Sequence, residues 1–407
     1  MNPQNNNNRA NGFSVRPALA FTPHQISYFN TLKHNIMTLT LAELDRLLNL
    51  AYLDARQNER NRNAQLRFEL DLENNIRNLR TRLWKREYTP DPPICFVIDT
   101  PREIFAPQFQ DRVVSHLLFN MIAPLFDPLF IYDSYSCRKE KGTLFGIERL
   151  EHHLRSCTEN YTKRAYVLCL DISGYFMNIN KQTLYNILIT EMNKHKNTWE
   201  KVIDYNFVDY LFRAILFRDP TKGAIKLGNP NNWNKLPSYK SLFNALPGIG
   251  LTIGDITSQL FSNIYMDPTD QYIKRDLGCK HYGRYVDDLR IVHNDKNFLH
   301  DISIKIGNFI NTNLGLSLNT TKTRIIRADK TVDFLGARIR KGRRYVAPST
   351  AVNFAKKAYV GQDISILNSY IGYLRHFRSD KILGKLLPPI VNSGAYKFSN
   401  GSFKFKY

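Results

Sequence analysis

"HYGRYVDDLRIVH", from His281 to His293, is the stretch on which the fold turns. Tyr282, Tyr285 and Val286 precede an adjacent pair of aspartates, and Leu289, Ile291 and Val292 follow it. The pattern predicts two short strands joined by a tight turn with Asp287 and Asp288 at its tip. An Asp-Asp pair also suits a plain surface turn, so alone it decides little. A third carboxylate changes that. "AYVLCLDISGYF" is a run of β-favouring apolar residues that ends at Asp171, as a buried strand delivering a carboxylate would.

Three carboxylates raised on adjacent strands suit a pair of Mg²⁺ ions about 3.5–4 Å apart, the arrangement that activates a 3′-hydroxyl and neutralises a leaving pyrophosphate. Without cations such a cluster is unfavourable, because like charges raise one another's pKa. The rest of the chain is strongly basic. Its 407 residues carry 57 Lys+Arg against 36 Asp+Glu, a formal net charge of +21, which predicts attraction to a polyanion and steep salt dependence. Nucleic acid is the first candidate. No run of about 18 apolar residues exists, so a membrane partner is not expected. With 43% hydrophobic residues, the chain has apolar material for two or three packed subdomains.

"MNPQNNNNRANGF" is polar and lacks the apolar centre of a signal peptide, which predicts a cytoplasmic protein with a disordered tail over residues 1–12. Five cysteines form an odd set with no CxxC pair and read as reduced thiols. The histidines of "EHHL" (Glu151–Leu154) point to different sides of a helix, and no third ligand is evident, so zinc is not expected there. Thr40 and Glu43 have capping-box spacing ahead of Leu44, Leu47, Leu48 and Ala51, within a helical region assigned to 13–90. That region continues through "RNAQLRFELDLENNIRNLRTRLWKREY", with Leu72, Ile76, Leu79 and Leu83 as its apolar stripe. The prolines of "TPDPPICFVIDTPRE" end the helix and open a strand-bearing segment. "KTRIIRADKTVDFLGARIR" and "RRYVAPS" predict later strands. Residues 218–250 have little periodicity and read as a loop or insertion.

Several ordered motifs resemble the reverse transcriptases, over about Pro101 to Tyr373. "LCLDISGYF" resembles the first palm motif, with Asp171 as its aspartate, and "YVDD" resembles the signature hairpin. Between them "LTIGDITSQ" is similar to the motif that supports template and incoming nucleotide. "LSLNTTKT", with Lys322, resembles the stretch whose lysine lies near the triphosphate. "VDFLGARI", with Phe334, Leu335 and Gly336, resembles the primer grip. "PREIFAPQFQDRVVSHLL" and "YDSYSCRKEKGT" resemble bacterial fingers motifs.

The resemblance implies an α+β right-hand polymerase fold: fingers over 91–165, a palm with an antiparallel sheet over 166–345, and a helical thumb with a C-terminal tail over 346–407. Asp171 and Asp287 would be the principal ligands of two Mg²⁺ ions, or of Mn²⁺, with Asp288 and the backbone carbonyl of Ile172 completing the set. Phe176 falls where the family places an aromatic gate against the 2′-OH, although core packing in "GYFMNI" is its plain alternative. Gly254 would let the backbone approach nucleotide or template closely, with Ser258 and Gln259 offering hydrogen bonds. Arg102, Arg138 and Lys139 would contact triphosphate or template backbone. Implied partners are an RNA template, its DNA product and dNTPs, with room for a homo-oligomer or partner protein.

The Ile253-Gly254 and Ser258-Gln259 form of the motif resembles diversity-generating retroelement enzymes and bacterial defence-associated ("unknown group") reverse transcriptases. The 57 residues beyond Thr350 leave no room for maturase, endonuclease or ribonuclease H regions. An antiphage role with a dedicated structured noncoding RNA is the first expectation, in a bacterial cytoplasm. The alternatives are mutagenic copying of a template repeat and a noncatalytic RNA-binding scaffold.

Overall fold

The computed structural model describes residues 38–57, 62–98, 101–360, 364–385, 396–399 and 402–405. The expected tail over 1–12 and the first part of the 13–90 helical region, through residue 37, lie outside the described residues. Helix α1 (Leu41–Arg56) opens at Thr40, whose Oγ1 accepts the Glu43 amide at 3.2 Å. Glu43 turns its carboxylate to Arg46, 2.7 Å away. The next stretch of the helical region forms two helices, α2 (Asn63–Glu69) and α3 (Leu72–Trp84). Asp71 leaves the helical region at φ −138°, and the break strands Leu70 on the surface. Ile76, Leu79 and Leu83 are nonetheless buried.

Strands β1 (Ile94–Ile98) and β2 (Arg102–Ala106) form an antiparallel hairpin. Helix α4 (Phe109–Phe126) follows; it is buried on nearly every side, as its near-continuous apolar sequence requires. Then come α5 (Thr143–Cys157), β3 (Tyr166–Asp171), the single turn α6 (Tyr175–Asn178), α7 (Lys181–Lys194), α8 (Lys196–Trp199) and α9 (Tyr205–Leu216). The segment 218–250 is ordered rather than an open loop. Its strand β4 (Ile225–Lys226) adds in parallel to β1, and α10 (Pro230–Asn234) and 3₁₀ turns at Ser238–Lys240 and Leu242–Asn244 fold it back.

Helix α11 (Ile256–Gln271) starts at Asp255, whose side chain accepts the Thr257 amide. Beyond it lie β5 (Tyr282–Tyr285), β6 (Asp288–His293), α12 (Lys296–Leu314), β7 (Arg324–Arg327), β8 (Val332–Phe334), β9 (Ala337–Arg340), β10 (Arg343–Val346), α13 (Pro348–Val360) and α14 (Ile364–Leu374). The C-terminal part also holds an antiparallel hairpin, β11 (Tyr396–Ser399) with β12 (Ser402–Phe405), where only helices and a tail were expected.

The central sheet has strand order β5-β6-β3-β7 and is antiparallel throughout. Strand β3 explains its own sequence. Leu168 and Leu170 face one core cluster, shared with α4, α11 and α12, whereas Val167 and Cys169 face a second, shared with α5, β8–β10 and the last helices. Both faces are covered, so the run is apolar without alternation until Asp171 leaves the core. Each fully buried leucine contributes about 1.5–3 kcal/mol to holding that strand in place.

Candidate active site

The hairpin is a two-residue one: Tyr285 pairs with Asp288, leaving Val286 and Asp287 as its loop. Val286 has φ +56°, a left-handed conformation that a β-branched residue adopts at a cost of about 1–3 kcal/mol. Arg284 holds it there. Its guanidinium donates to the Val286 carbonyl at 2.9 Å and pairs with Asp270 at 2.7 Å, and both charged side chains are fully buried. Tyr282 donates its hydroxyl to the same Asp270 carboxylate at 2.6 Å. The outer edge of β5 is covered by residues 133–135: the Arg284 amide donates to the Asp133 carbonyl (2.9 Å) and the Tyr135 amide to the Arg284 carbonyl (3.0 Å). Gly283 lies under Tyr135, whose hydroxyl oxygen would stand 1.9 Å from an added Cβ.

Asp171 at the end of β3 is the direct cross-strand partner of Asp288 on β6. The amide of Ile172 donates to the Asp287 carbonyl at 3.2 Å, tying the turn to the end of β3. Burial, with Asp171 and Asp288 alongside, pushes the Asp287 carboxyl up to about 6, and Arg102 opposes the shift. Asp288 is likewise raised, by burial first and by Asp171, with Arg290 and Lys322 acting against it. Lys322 sits on Asp171, its Nζ 2.9 Å from Oδ2. Arg290 forks onto Asp288, donates to the Asp333 carbonyl at 3.2 Å and lies over the Phe334 ring at 4.9 Å.

Among the described residues no three His, Cys, Asp or Glu converge as a ready ion cage. The donor chemistry fits Mg²⁺ all the same. The oxygens are hard carboxylate donors on adjoining strands, and their mutual repulsion is offset here by Lys322 and Arg290.

The remaining expected residues divide. Arg102 is exposed at the start of β2 and acts on the charge of Asp287. Phe176 is half-buried on α6, edge-on to Tyr175 at 5.4 Å, and Gln259 is half-buried on α11. Lys139 is half-buried too. Four others have protein partners of their own. Arg138 is buried, and its guanidinium braces the loop through Asp127 at 2.7 Å and the carbonyls of Ile131 and Ser134. Gly254 is exposed and lies close to the Phe105 carbonyl, which would stand 2.7 Å from an added Cβ. Ser258 is buried, with its hydroxyl 3.0 Å from that of Thr252. Phe334 is buried in the second core cluster, leaving Leu335 (φ +51°) and Gly336 (φ +79°) as the β8–β9 turn.

Sequence reading missed Arg284, Asp270, Arg290 and Glu103. A charged residue inside an apolar strand signals a buried partner, but not which one.

Residues 90–339 match the family described as reverse transcriptase (RNA-dependent DNA polymerase). The chain belongs to that family. The α+β architecture, with carboxylates at the ends of the two inner strands of an antiparallel sheet, is its right-hand polymerase fold. Protein YkfC of Escherichia coli is a relative of this reverse transcriptase, 25% identical over 319 residues that cover 69% of this chain and 74% of YkfC. The COX1/OXI3 intron 2 protein of Saccharomyces cerevisiae is 21% identical over 348 residues, which cover 68% of this chain but only 36% of the yeast protein. Among solved structures, telomerase from Candida albicans, in complex with a fragment of telomeric RNA, has a TM-score of 0.47 at 11% identity, covering 81% of this chain and 60% of the telomerase chain. No helix among the described residues is long and apolar enough to cross a membrane.

Proposed function

We propose that this reverse transcriptase extends a nucleic-acid 3′-hydroxyl on an RNA template, with Asp171, Asp287 and Asp288 as its catalytic carboxylates. The cross-strand pairing of Asp171 with Asp288, with Asp287 on the adjoining turn, carries the reading. Asp171, Asp287 and the Ile172 carbonyl would hold two Mg²⁺ ions, with Asp288 beside them. When bound, those ions supply the charge that activates the 3′-hydroxyl and neutralises the leaving pyrophosphate. The hydroxyl loses its proton to solvent water and bonds to the α-phosphorus of the incoming dNTP as the bond to pyrophosphate breaks, and pyrophosphate leaves.

Lys322, which lies on Asp171, and the exposed Arg102 would receive the triphosphate. Phe176 would stand against the sugar. Leu335 and Gly336, at the turn of the β8–β9 hairpin, would support the primer end.

The biological role we infer is antiphage defence with a dedicated noncoding RNA, supported by the helical N-terminal region and the elaborated 218–250 segment. The Ile253-Gly254 form of the supporting motif equally favours mutagenic copying of a template repeat. Primer extension by the purified chain with its co-purifying RNA, Mg²⁺ and labelled dNTPs tests the chemistry. Incorporation by the parent and its loss in Asp287→Ala/Asp288→Ala are expected; equal incorporation by the variant would sink the assignment. Sequencing the bound RNA and the product separates the two roles: a structured noncoding RNA supports defence, and a mutated copy of a neighbouring repeat supports diversification.

A further inference from the structure

Strand β2 points consecutive side chains to opposite faces. Arg102 is exposed towards Asp287, and its neighbour Glu103 is fully buried in the other direction. Glu103 meets no cation at ion-pairing distance among the described residues. Its carboxylate accepts the Ser241 hydroxyl at 2.8 Å and the Leu242 amide at 2.7 Å, both on the folded-back part of 218–250. A buried carboxylate spent on one hydroxyl and one amide is an expensive fastening, so what it fastens matters.

Leu242 lies in a small apolar cluster with Cys95 and Phe105 of the β1–β2 hairpin and Met177 of α6, and Phe176 packs against that cluster. The end of the same segment runs back along α6. The Leu251 amide donates to the Phe176 carbonyl at 2.8 Å and the Gly250 amide to the Ile179 carbonyl at 2.8 Å. Gly250 has φ +94°, and a Cβ there would reach Leu242 Cδ2 at 2.3 Å and the Met177 carbonyl at 3.5 Å, so Leu242 and Gly250 close on each other beside Met177. Phe176 thus packs between this cluster and the main core, and Leu251 holds its backbone.

We propose that Glu103 is a positioning residue for sugar selection: by holding Ser241 and Leu242 down, it fixes the Phe176 ring that screens the 2′ position of the incoming nucleotide. This rests on the polymerase reading above. It assigns a purpose to the 218–250 segment, which builds the outer wall of the sugar site from a part of the chain remote from the carboxylates in sequence. A loosened ring admits a ribonucleotide because excluding a single hydroxyl needs a wall that does not yield.

The test is single-nucleotide incorporation by the full chain on an RNA template with Mg²⁺, comparing kcat/KM for a dNTP and the matching rNTP. Glu103→Ala is expected to lower the preference for the deoxynucleotide about tenfold, through a rise in ribonucleotide kcat/KM. Glu103→Gln should restore it, since the amide oxygen can still accept from Leu242 and the amide nitrogen can donate to the Ser241 hydroxyl. In a Phe176→Ala background Glu103→Ala should add no further loss. Parental discrimination in folded Glu103→Ala, or a fully additive loss in the double variant, overturns the proposal. Should Glu103→Ala fail to fold, Ser241→Ala removes one of the two fastenings; a smaller loss of the same sign supports the proposal and no loss overturns it. A parent chain that incorporates neither sugar overturns the polymerase reading itself, and this inference with it.

Discussion

Arg284 is where one side chain sets the geometry of the site. It keeps Val286 in a conformation valine avoids, and it can do so only because Asp270 neutralises it inside the core. Arg284→Met leaves the Asp270 carboxylate buried and unpaired, and should cost about 3–5 kcal/mol in urea unfolding. Arg284→Met combined with Asp270→Leu should recover most of that stability, since a buried ion pair replaced by apolar groups is often neutral. Incorporation should nevertheless stay low in the double variant, because nothing then donates to the Val286 carbonyl. Full activity there would show that the turn needs no support from Arg284. Gly283→Ala tests the other side of the strand. Its methyl would collide with Tyr135, and nearby Tyr135 ring carbons at 2.6 and 2.9 Å leave no room for relief, so a loss of thermal stability is expected.

At the level of elements, capping and burial patterns were legible, but breaks and pairings were not. Thr40 caps α1 as its spacing predicts, because that interaction is local. The helical stripe from Leu72 to Leu83 says nothing of the break at Asp71, and β4 could not be read from 218–250 because its pairing with β1 is long-range. Helix α4 carries a pH-sensitive joint at its first turn. Asp111 is buried, accepts the Tyr88 hydroxyl at 2.8 Å and the Asp91 amide at 2.9 Å, and so ties the proline-rich linker to the helix. Burial raises its carboxyl from 3.8 to about 6. The neutral form is therefore the one the fold favours: its stabilisation is complete below the unfolded value and is lost as pH rises through about 6. A shift of that size corresponds to about 3 kcal/mol. Asp111→Asn, which cannot ionise but keeps one acceptor oxygen where the carboxylate has two, should change by up to about 3 kcal/mol in its favour relative to the parent between about pH 4 and pH 7, read by urea unfolding at each pH. A difference that does not change with pH would place the Asp111 carboxyl at its ordinary value.

For the molecule as a whole, the net charge of +21 sets long-range attraction to nucleic acid, and the fold decides where that charge is presented. On the outer face of the β8–β10 sheet Arg340 stands directly opposite Arg343, and Arg338 opposite Tyr345. Facing like charges weaken a sheet unless an anion lies over them, so this face suits a phosphate backbone. Binding of single-stranded RNA, followed by fluorescence anisotropy, should weaken steeply between about 50 and about 200 mM salt. Arg340→Ala and Arg343→Ala should each reduce the log–log slope by about 1. Slopes equal to the parent's would remove this face from the nucleic-acid path.

The sequence by itself determined the chemistry on offer. An apolar strand has to end where Asp171 leaves the core, an Asp-Asp turn between β-favouring residues has to expose acids, and a surplus of Lys and Arg has to attract a polyanion. Each of these depends on residues near one another in the chain. Only the tertiary structure decided which groups face which: Asp171 against Asp288, Lys322 over Asp171, Arg290 between Asp288 and Phe334, Asp270 under Arg284, and Glu103 beneath Ser241. It also paired Arg138 with Asp127. The reason is physical. A buried charge must find its counterpart wherever the packing of the whole chain puts one, and no local pattern records that distance.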